Sequence, residues 1–284
     1  MKKISIFLAA FALMVGSQTA CVRLGDLDLE PIPDISFTYE CSGLTYTFTS
    51  ADAKEVKWNI VGEAEGSGEV FTYTFKKPGS YWVSMSGLYN SEQQTVSTKI
   101  LVAKPSVVKL DDGTLDDWDA VTYPDFMLYG DDGESYGKFD YDANYLYFMF
   151  VLTEQEMFSI DEAIWNLRLD ADDNSQTGYS TKSLGCEWYY EGNCCGEEPW
   201  DDWYIGRKDE DLEWTDTVKE VMGTRGTTDD GKFFFELGIS RKAFGVNTPV
   251  VAFFTKFYNS DWDDAVAFKD KDGKASIHLA LDKD

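Results

Sequence analysis

Short apolar runs that alternate residue by residue, each closed by glycine, proline, asparagine or aspartate, fill most of this 284-residue chain. A period of two puts successive side chains on opposite faces of a strand, so such runs pack as sheets. In the first third they are Ile35 to Glu40, Leu44 to Thr49, Val56 to Val61, Val70 to Phe75, Tyr81 to Ser86 and Thr95 to Val102. Tyr46-Thr47-Phe48 and Val56-Lys57-Trp58-Asn59-Ile60 place large groups on one side only, which predicts a small β-sandwich. Lys104-Pro105-Ser106 interrupts the pattern, because proline biases its neighbour to extended backbone. Beyond it the strand candidates are Tyr145 to Leu152, Ile164 to Asp170, Cys186 to Glu191, Thr217 to Met222, Lys232 to Ile239, Val250 to Tyr258 and Ser276 to Ala280, with one short helix expected in Thr153 to Ala163. The predicted class is all-β, two sandwich domains at 34–104 and 107–284.

Met1-Lys2-Lys3, an apolar stretch from Ile4 to Val15 and Gly16-Ser17-Gln18-Thr19-Ala20 have the three regions of a secretory signal over residues 1–20. Cys21 directly after Thr19-Ala20 resembles the lipobox of bacterial lipoproteins, although Gln18 stands where an aliphatic residue is usual. The resemblance implies acylation of Cys21, a tether over 21–33 carrying Pro31 and Pro33, and an outer-membrane, cell-surface location reached through the lipid. Asp26, Asp28 and Glu30 favour surface export and Arg23 counts against it.

The formal charge of −26 becomes −28 once Lys2 and Lys3 leave with the signal, which excludes nucleic acid and anionic lipid as partners of the folded part. Aromatics make up 15% of the residues, too many for a disordered acidic chain. Cys41, Cys186, Cys194 and Cys195 would sit in a compartment that allows disulfides. Cys194 and Cys195 can join each other only in a strained ring, so either Cys186 bridges to one of them or the thiols are free.

Asp111-Asp112-Gly113-Thr114-Leu115-Asp116-Asp117-Trp118, Tyr141-Asp142-Ala143-Asn144-Tyr145-Leu146-Tyr147, Leu169-Asp170-Ala171-Asp172-Asp173-Asn174 through Gly178-Tyr179, Gly185 to Gly192 and Phe235 to Ser240 follow one another in order. This series resembles family 9 carbohydrate-binding modules and the related DOMON domains. Earlier, Val56-Lys57-Trp58 followed by Phe71 to Val83 with its Lys77-Pro78-Gly79 turn resembles a polycystic-kidney-disease-type (PKD) immunoglobulin-like domain, a spacer in its family; Gly62 to Gly66 replaces that family's glycine-aspartate turn. The first resemblance implies structural Ca²⁺ on Asp170, Asp172, Asn174 and Glu187, oxygen ligands that suit a hard cation. Capping of a solvated turn by Asx hydrogen bonds is the other reading of the same acids.

Sugar rings offer a C–H face and a rim of hydroxyls, so their sites pair exposed aromatic platforms with polar groups. Trp188, Trp200, Trp203, Tyr204, Arg207, Trp214 and Trp262 have that mixture in turn-rich segments, with Trp200, Trp203 and Trp262 the expected platforms on loops 186–214 and 258–262. Trp58, Trp118 and Trp165 sit in or at the start of apolar alternation and are expected in the core. Catalysis is not expected: His278 is the sole histidine and no nucleophile elbow or phosphate loop is present. The expected function is non-catalytic capture of polysaccharide or oligosaccharide, alongside other outer-membrane uptake proteins. Two alternatives stand beside it: adhesion to a protein partner, and haem held by His278 with Met127, Met149, Met157 or Met222.

Overall fold

A computed structural model describes residues 33–153, 161–193, 196, 198–215 and 221–282. The signal, Cys21, most of the tether, Cys194, Cys195, Met157, most of the expected helix and most of the expected strand at 217–222 lie outside the described residues. The regular structure is almost entirely strand, in two antiparallel sandwiches.

The first sandwich has seven strands. One sheet is β1 (Phe37–Ser42), β2 (Thr45–Ser50) and β5 (Val70–Thr74); the other is β4 (Ala64–Ser67), β3 (Lys54–Ile60), β6 (Gly79–Tyr89) and β7 (Glu92–Val102), in those spatial orders. Alternation on β2 and β3 turns Tyr46, Phe48, Val56, Trp58 and Ile60 inward, where they meet Phe75, Val83 and Met85. Trp58 is buried as expected, and its indole N–H donates to the Gly68 carbonyl at 2.8 Å.

The second sandwich folds one continuous twelve-stranded sheet into two layers. The first layer runs β16 (Glu213–Thr215), β15 (Trp200–Ile205), β14 (Trp188–Asn193), β11 (Ile164–Asp170), β19 (Val250–Tyr258), with β21 (Ile277–Ala280) also on β19. β20 (Asp264–Lys269) pairs with β19 and then with β8 (Met127–Gly130), so it carries the sheet around the edge. The second layer continues with β9 (Tyr136–Tyr141), β10 (Tyr145–Leu152), β18 (Phe233–Ser240) and β17 (Val221–Thr227). Between the layers, Phe148 and Phe150 of the second layer face Trp165, Phe253 and Phe257 of the first, with ring centroids 5.2–6.2 Å apart. Trp118 and Trp165 are each 1% exposed, in the core as predicted.

A strap of chain before β8 seals the outer face of the second layer. Lys104 is ion-paired to the buried Asp140 of β9, and the Ser106 hydroxyl donates to the same carboxylate at 2.5 Å. The Trp118 indole donates to buried Glu236 of β18 at 2.6 Å, and Lys138 of β9 returns a bond to the Trp118 carbonyl at 2.6 Å. Leu110 presses so close on Gly238 that a Cβ there would lie 2.4 Å from it.

Candidate functional site

Among the described residues, no such strap covers the centre of the first layer's outer face. On β11, Trp165, Leu167 and Leu169 go to the core, which leaves Ile164, Asn166, Arg168 and Asp170 outward. Register then fixes their neighbours: Arg168 lies beside Tyr189, which lies beside Tyr204, which lies beside Trp214. One step along the strands, Lys256, Asn166, Glu191 and Asp202 form a polar row. A further step brings Tyr258, Ile164, Asn193 and Trp200.

Hydrogen bonds lock these rows. Tyr189 donates to Glu191 at 2.5 Å and Tyr204 to the other oxygen of the same carboxylate at 3.1 Å, so Glu191 holds two phenols side by side, ring centroids 5.3 Å apart. Hydrogen bonding to an anion disfavours loss of the phenol proton, yet burial is the larger cause that pushes Tyr204 up to about 12. Asn166 donates to the Tyr189 oxygen at 2.7 Å, and Trp214 donates to Asp202 at 3.0 Å. Arg168 sits over the Tyr189 ring, and Lys256 sits 3.9 Å from the centre of the Tyr258 ring.

At one end of the face the β19–β20 turn builds an aromatic corner. The buried Asn259 carboxamide accepts from the backbone N–H groups of Asp261 and Asp263 at 3.0 and 2.9 Å. This staple forces Trp262 to φ 65°, a left-handed conformation that costs a bulky residue energy and persists only where its surroundings impose it. The result is an exposed ring, 6.0 Å from Trp200 and 5.6 Å from Tyr258. Trp200 is 37% and Trp262 46% exposed. Both border an open depression of about 430 Å³ with Asp161, Glu162, Ile164, Asn193, Glu198 and Ser260. Asn193 is buried, it donates to the Asp161 carbonyl, and its Oδ1 has no partner among the described residues. A buried acceptor left unpaired carries a desolvation cost that an incoming hydroxyl would relieve.

The opposite end is covered by a hairpin of β12 (Tyr179–Thr181) and β13 (Leu184–Cys186), whose Leu184 and Cys186 pack on Ala252 and Phe254 of β19. Under it the oxygens of Asp170, Asp172 and Glu187 lie within 4.8 Å of one another. Two ligands of one Ca²⁺, each at about 2.3–2.6 Å, are at most about 5 Å apart, so all three fit around one ion. Glu187 Oε1 is a buried oxygen with no partner among the described residues, and burial pushes both Asp170 and Glu187 above the usual carboxylate range. These features suit a hard cation. The Asn174 side chain instead accepts from the Gln176 backbone N–H at 3.1 Å, the Asx arrangement of a capped turn.

Several expectations need correction. Trp203 is 2% exposed and lies in the core against Phe244 at 4.4 Å and Tyr190 at 4.6 Å, so it is no platform. Trp188 also faces inward and donates to the Phe244 carbonyl at 3.1 Å. Arg207 is ion-paired to Glu213 and Glu210 at the β15–β16 connection and does not line the depression. The strand expected at Cys186–Glu191 is β14, and segments 200–205 and 213–215, expected as loop, continue it as an antiparallel meander at the sheet edge. Cys186 is a free thiol, which burial pushes up to about 12. Its expected partners, Cys194 and Cys195, lie outside the described residues. For the haem alternative, His278 is on the first layer beside Asp173, 2.6 Å away, while Met127, Met149 and Met222 belong to the second. No axial pair comes together among the described residues. The residues that sequence reasoning missed are Asn166, Arg168, Glu191 and Lys256.

No protein-family model and no curated protein matches the chain. Among solved structures it is similar to one described as carbohydrate-binding modules from the β-sandwich superfamily, with 11% identity, 88% of this chain and 98% of that chain covered, and a TM-score of 0.28. That score is too low to argue from.

Proposed function

We propose that this protein is a non-catalytic glycan-binding module carried at the bacterial cell surface. The observation that carries the reading is the pair of exposed indoles, Trp200 and Trp262, held at a fixed angle over a depression edged with carboxylates and amides. Rings take the C–H face of a sugar and the oxygens of Asp161, Glu162, Asn193 and Glu198 take its hydroxyls. A bound Ca²⁺ on Asp170, Asp172 and Glu187 supplies no chemistry to the sugar; it would fasten the β12–β13 hairpin to the sheet. In this reading Cys21 is acylated and holds the chain to the outer membrane. The first sandwich spaces the second from the lipid, and neighbouring uptake proteins receive the captured chain.

Isothermal calorimetry of residues 22–284 against plant, host and microbial polysaccharides tests this, with Trp200→Ala and Trp262→Ala alongside. The expected result is binding to at least one polysaccharide, weakened about tenfold or more by either substitution, as removal of a central aromatic anchor commonly does. A panel with no binding would move the weight to a protein partner.

A further inference from the structure

The geometry points to a second aromatic platform, Trp214–Tyr204–Tyr189, that joins the Trp200–Trp262 corner into one elongated site for a neutral glycan chain longer than a disaccharide. This rests on the glycan reading and adds to it the length and charge of the ligand. Tyr204 and Trp200 point to the same face of β15, four residues apart, which at ~3.3 Å per residue is about 13 Å and more than a disaccharide spans. Trp214 is 58% exposed, and its ring continues the row from the sheet edge. The two platforms do not belong to separate sites, because a polar row on the same face joins them: Asp202, Glu191 and Asn166 lie between them in register.

That middle row has features of a site that is already set. Glu191 fixes Tyr189 and Tyr204 by accepting from both phenols, so neither ring must be ordered when ligand arrives. Asn166 is fully buried, its amide donates to Tyr189, and its Oδ1 has no partner among the described residues, as with Asn193 in the corner.

Charge decides the ligand class. Residues 107–284 contain 40 acidic and 16 basic residues. On this face Arg168 is engaged with Thr181 at 2.6 Å and Lys256 lies on Tyr258, whereas Glu191 and Asp202 occupy the middle row and Glu198 the corner. A uronate or sulfate would meet like charge there, while a hydroxyl meets acceptors.

The experiment is calorimetry with a neutral oligosaccharide series, disaccharide to hexasaccharide, cut from whichever polysaccharide binds the intact protein. Wild type, Trp214→Ala and Trp200→Ala are compared, each checked for an unchanged melting temperature. Affinity is expected to rise at least tenfold from disaccharide to hexasaccharide in the wild type. Trp214→Ala should erase that rise and leave the disaccharide within twofold, whereas Trp200→Ala should weaken every length. A wild-type affinity independent of length, or a Trp214→Ala variant that keeps the full rise, overturns the elongated site while the corner stands. Tighter binding of a polyuronate or sulfated glycan than of any neutral one overturns the charge assignment. If no saccharide of any kind binds, the function itself fails, and that outcome is distinct from the others. Tyr204→Ala provides the same comparison should Trp214→Ala fold poorly.

Discussion

The two outer faces of the second sandwich carry the same kinds of residue and treat them differently. On the second layer, Glu236 and Asp140 are buried under the chain's own strap, where Trp118, Lys104 and Ser106 satisfy them. On the first layer, Glu191 and Asp202 are satisfied by Tyr189, Tyr204 and Trp214 from the same sheet, and no strap covers them among the described residues. Acids and rings on a sheet face therefore do not mark a binding site by themselves. What separates the two faces is whether the protein supplies the covering layer. The first sandwich, with 8 acidic and 6 basic residues over 34–104, is also far closer to neutral than the second.

The largest test of that contrast exchanges a covering ring for an uncovered one. Trp118→Ala removes a ring that is 1% exposed and strands Glu236 without its indole donor. The expected cost is about 3–5 kcal/mol of unfolding free energy, read in urea titrations. Trp200→Ala, on the open face, should cost within about 0.5 kcal/mol. Equal losses for the two variants would mean that the faces do not differ.

Much of the architecture can be read from residue pattern. Ile164–Asp170 alternates Trp165, Leu167 and Leu169 with polar residues, so its inner face is visible by inspection. The edge strands are not legible in this way. On Trp200-Asp201-Asp202-Trp203-Tyr204 each face carries both a ring and an acid: Trp203 and Asp201 go one way, Trp200, Asp202 and Tyr204 the other. Alternation is then hidden, and Trp203 resembles Trp200 until a partner strand assigns it a side. Trp262 was legible because its loop residues do not alternate at all. Its left-handed backbone, set by Asn259, has no signature in the sequence beyond the asparagine itself. Glu191 is a functional candidate only through register with β15, a non-local fact.

A smaller effect should appear in the pH dependence of the covered face. Burial, opposed in part by the bonds from Trp118 and Thr224, raises Glu236 from 4.5 to about 7, with Asp117 and Asp112 adding to the rise and Lys138 close by at the Trp118 carbonyl. The folded chain thus keeps a proton that the unfolded chain releases near pH 4.5. Its contribution to stability is complete below about 4.5 and declines as pH climbs to 7, by an amount on the order of 3 kcal/mol. Melting curves between pH 4.5 and 7.5 should show that slope in the wild type and a flatter one in Glu236→Gln. An unchanged slope in Glu236→Gln would show that the buried acid does not set the pH dependence.

The smallest expected effect concerns the end of the first layer that is neither strapped nor open. There a three-residue hairpin arm, Leu184–Cys186, is held on the sheet by the Gly185 N–H bonded to Asp170 at 2.9 Å and by a few apolar contacts. Asp170, Asp172 and Glu187 bring as many as three negative charges together beneath it, and burial already disfavours the ionised forms of Asp170 and Glu187. A divalent cation would reverse that penalty, and because Glu187 comes from a stretch of chain separate from Asp170 and Asp172 the full ligand set exists only in the folded state. Stabilisation then follows mass action, about 2.7 kcal/mol at a concentration 100 times the dissociation constant. The melting temperature should rise on going from excess chelator to millimolar Ca²⁺, and Asp172→Asn should abolish the rise without changing the chelator value by more than a degree or so. A melting temperature indifferent to Ca²⁺ would leave the acids as turn caps, and the hairpin would then be held by Asp170 and its packing alone.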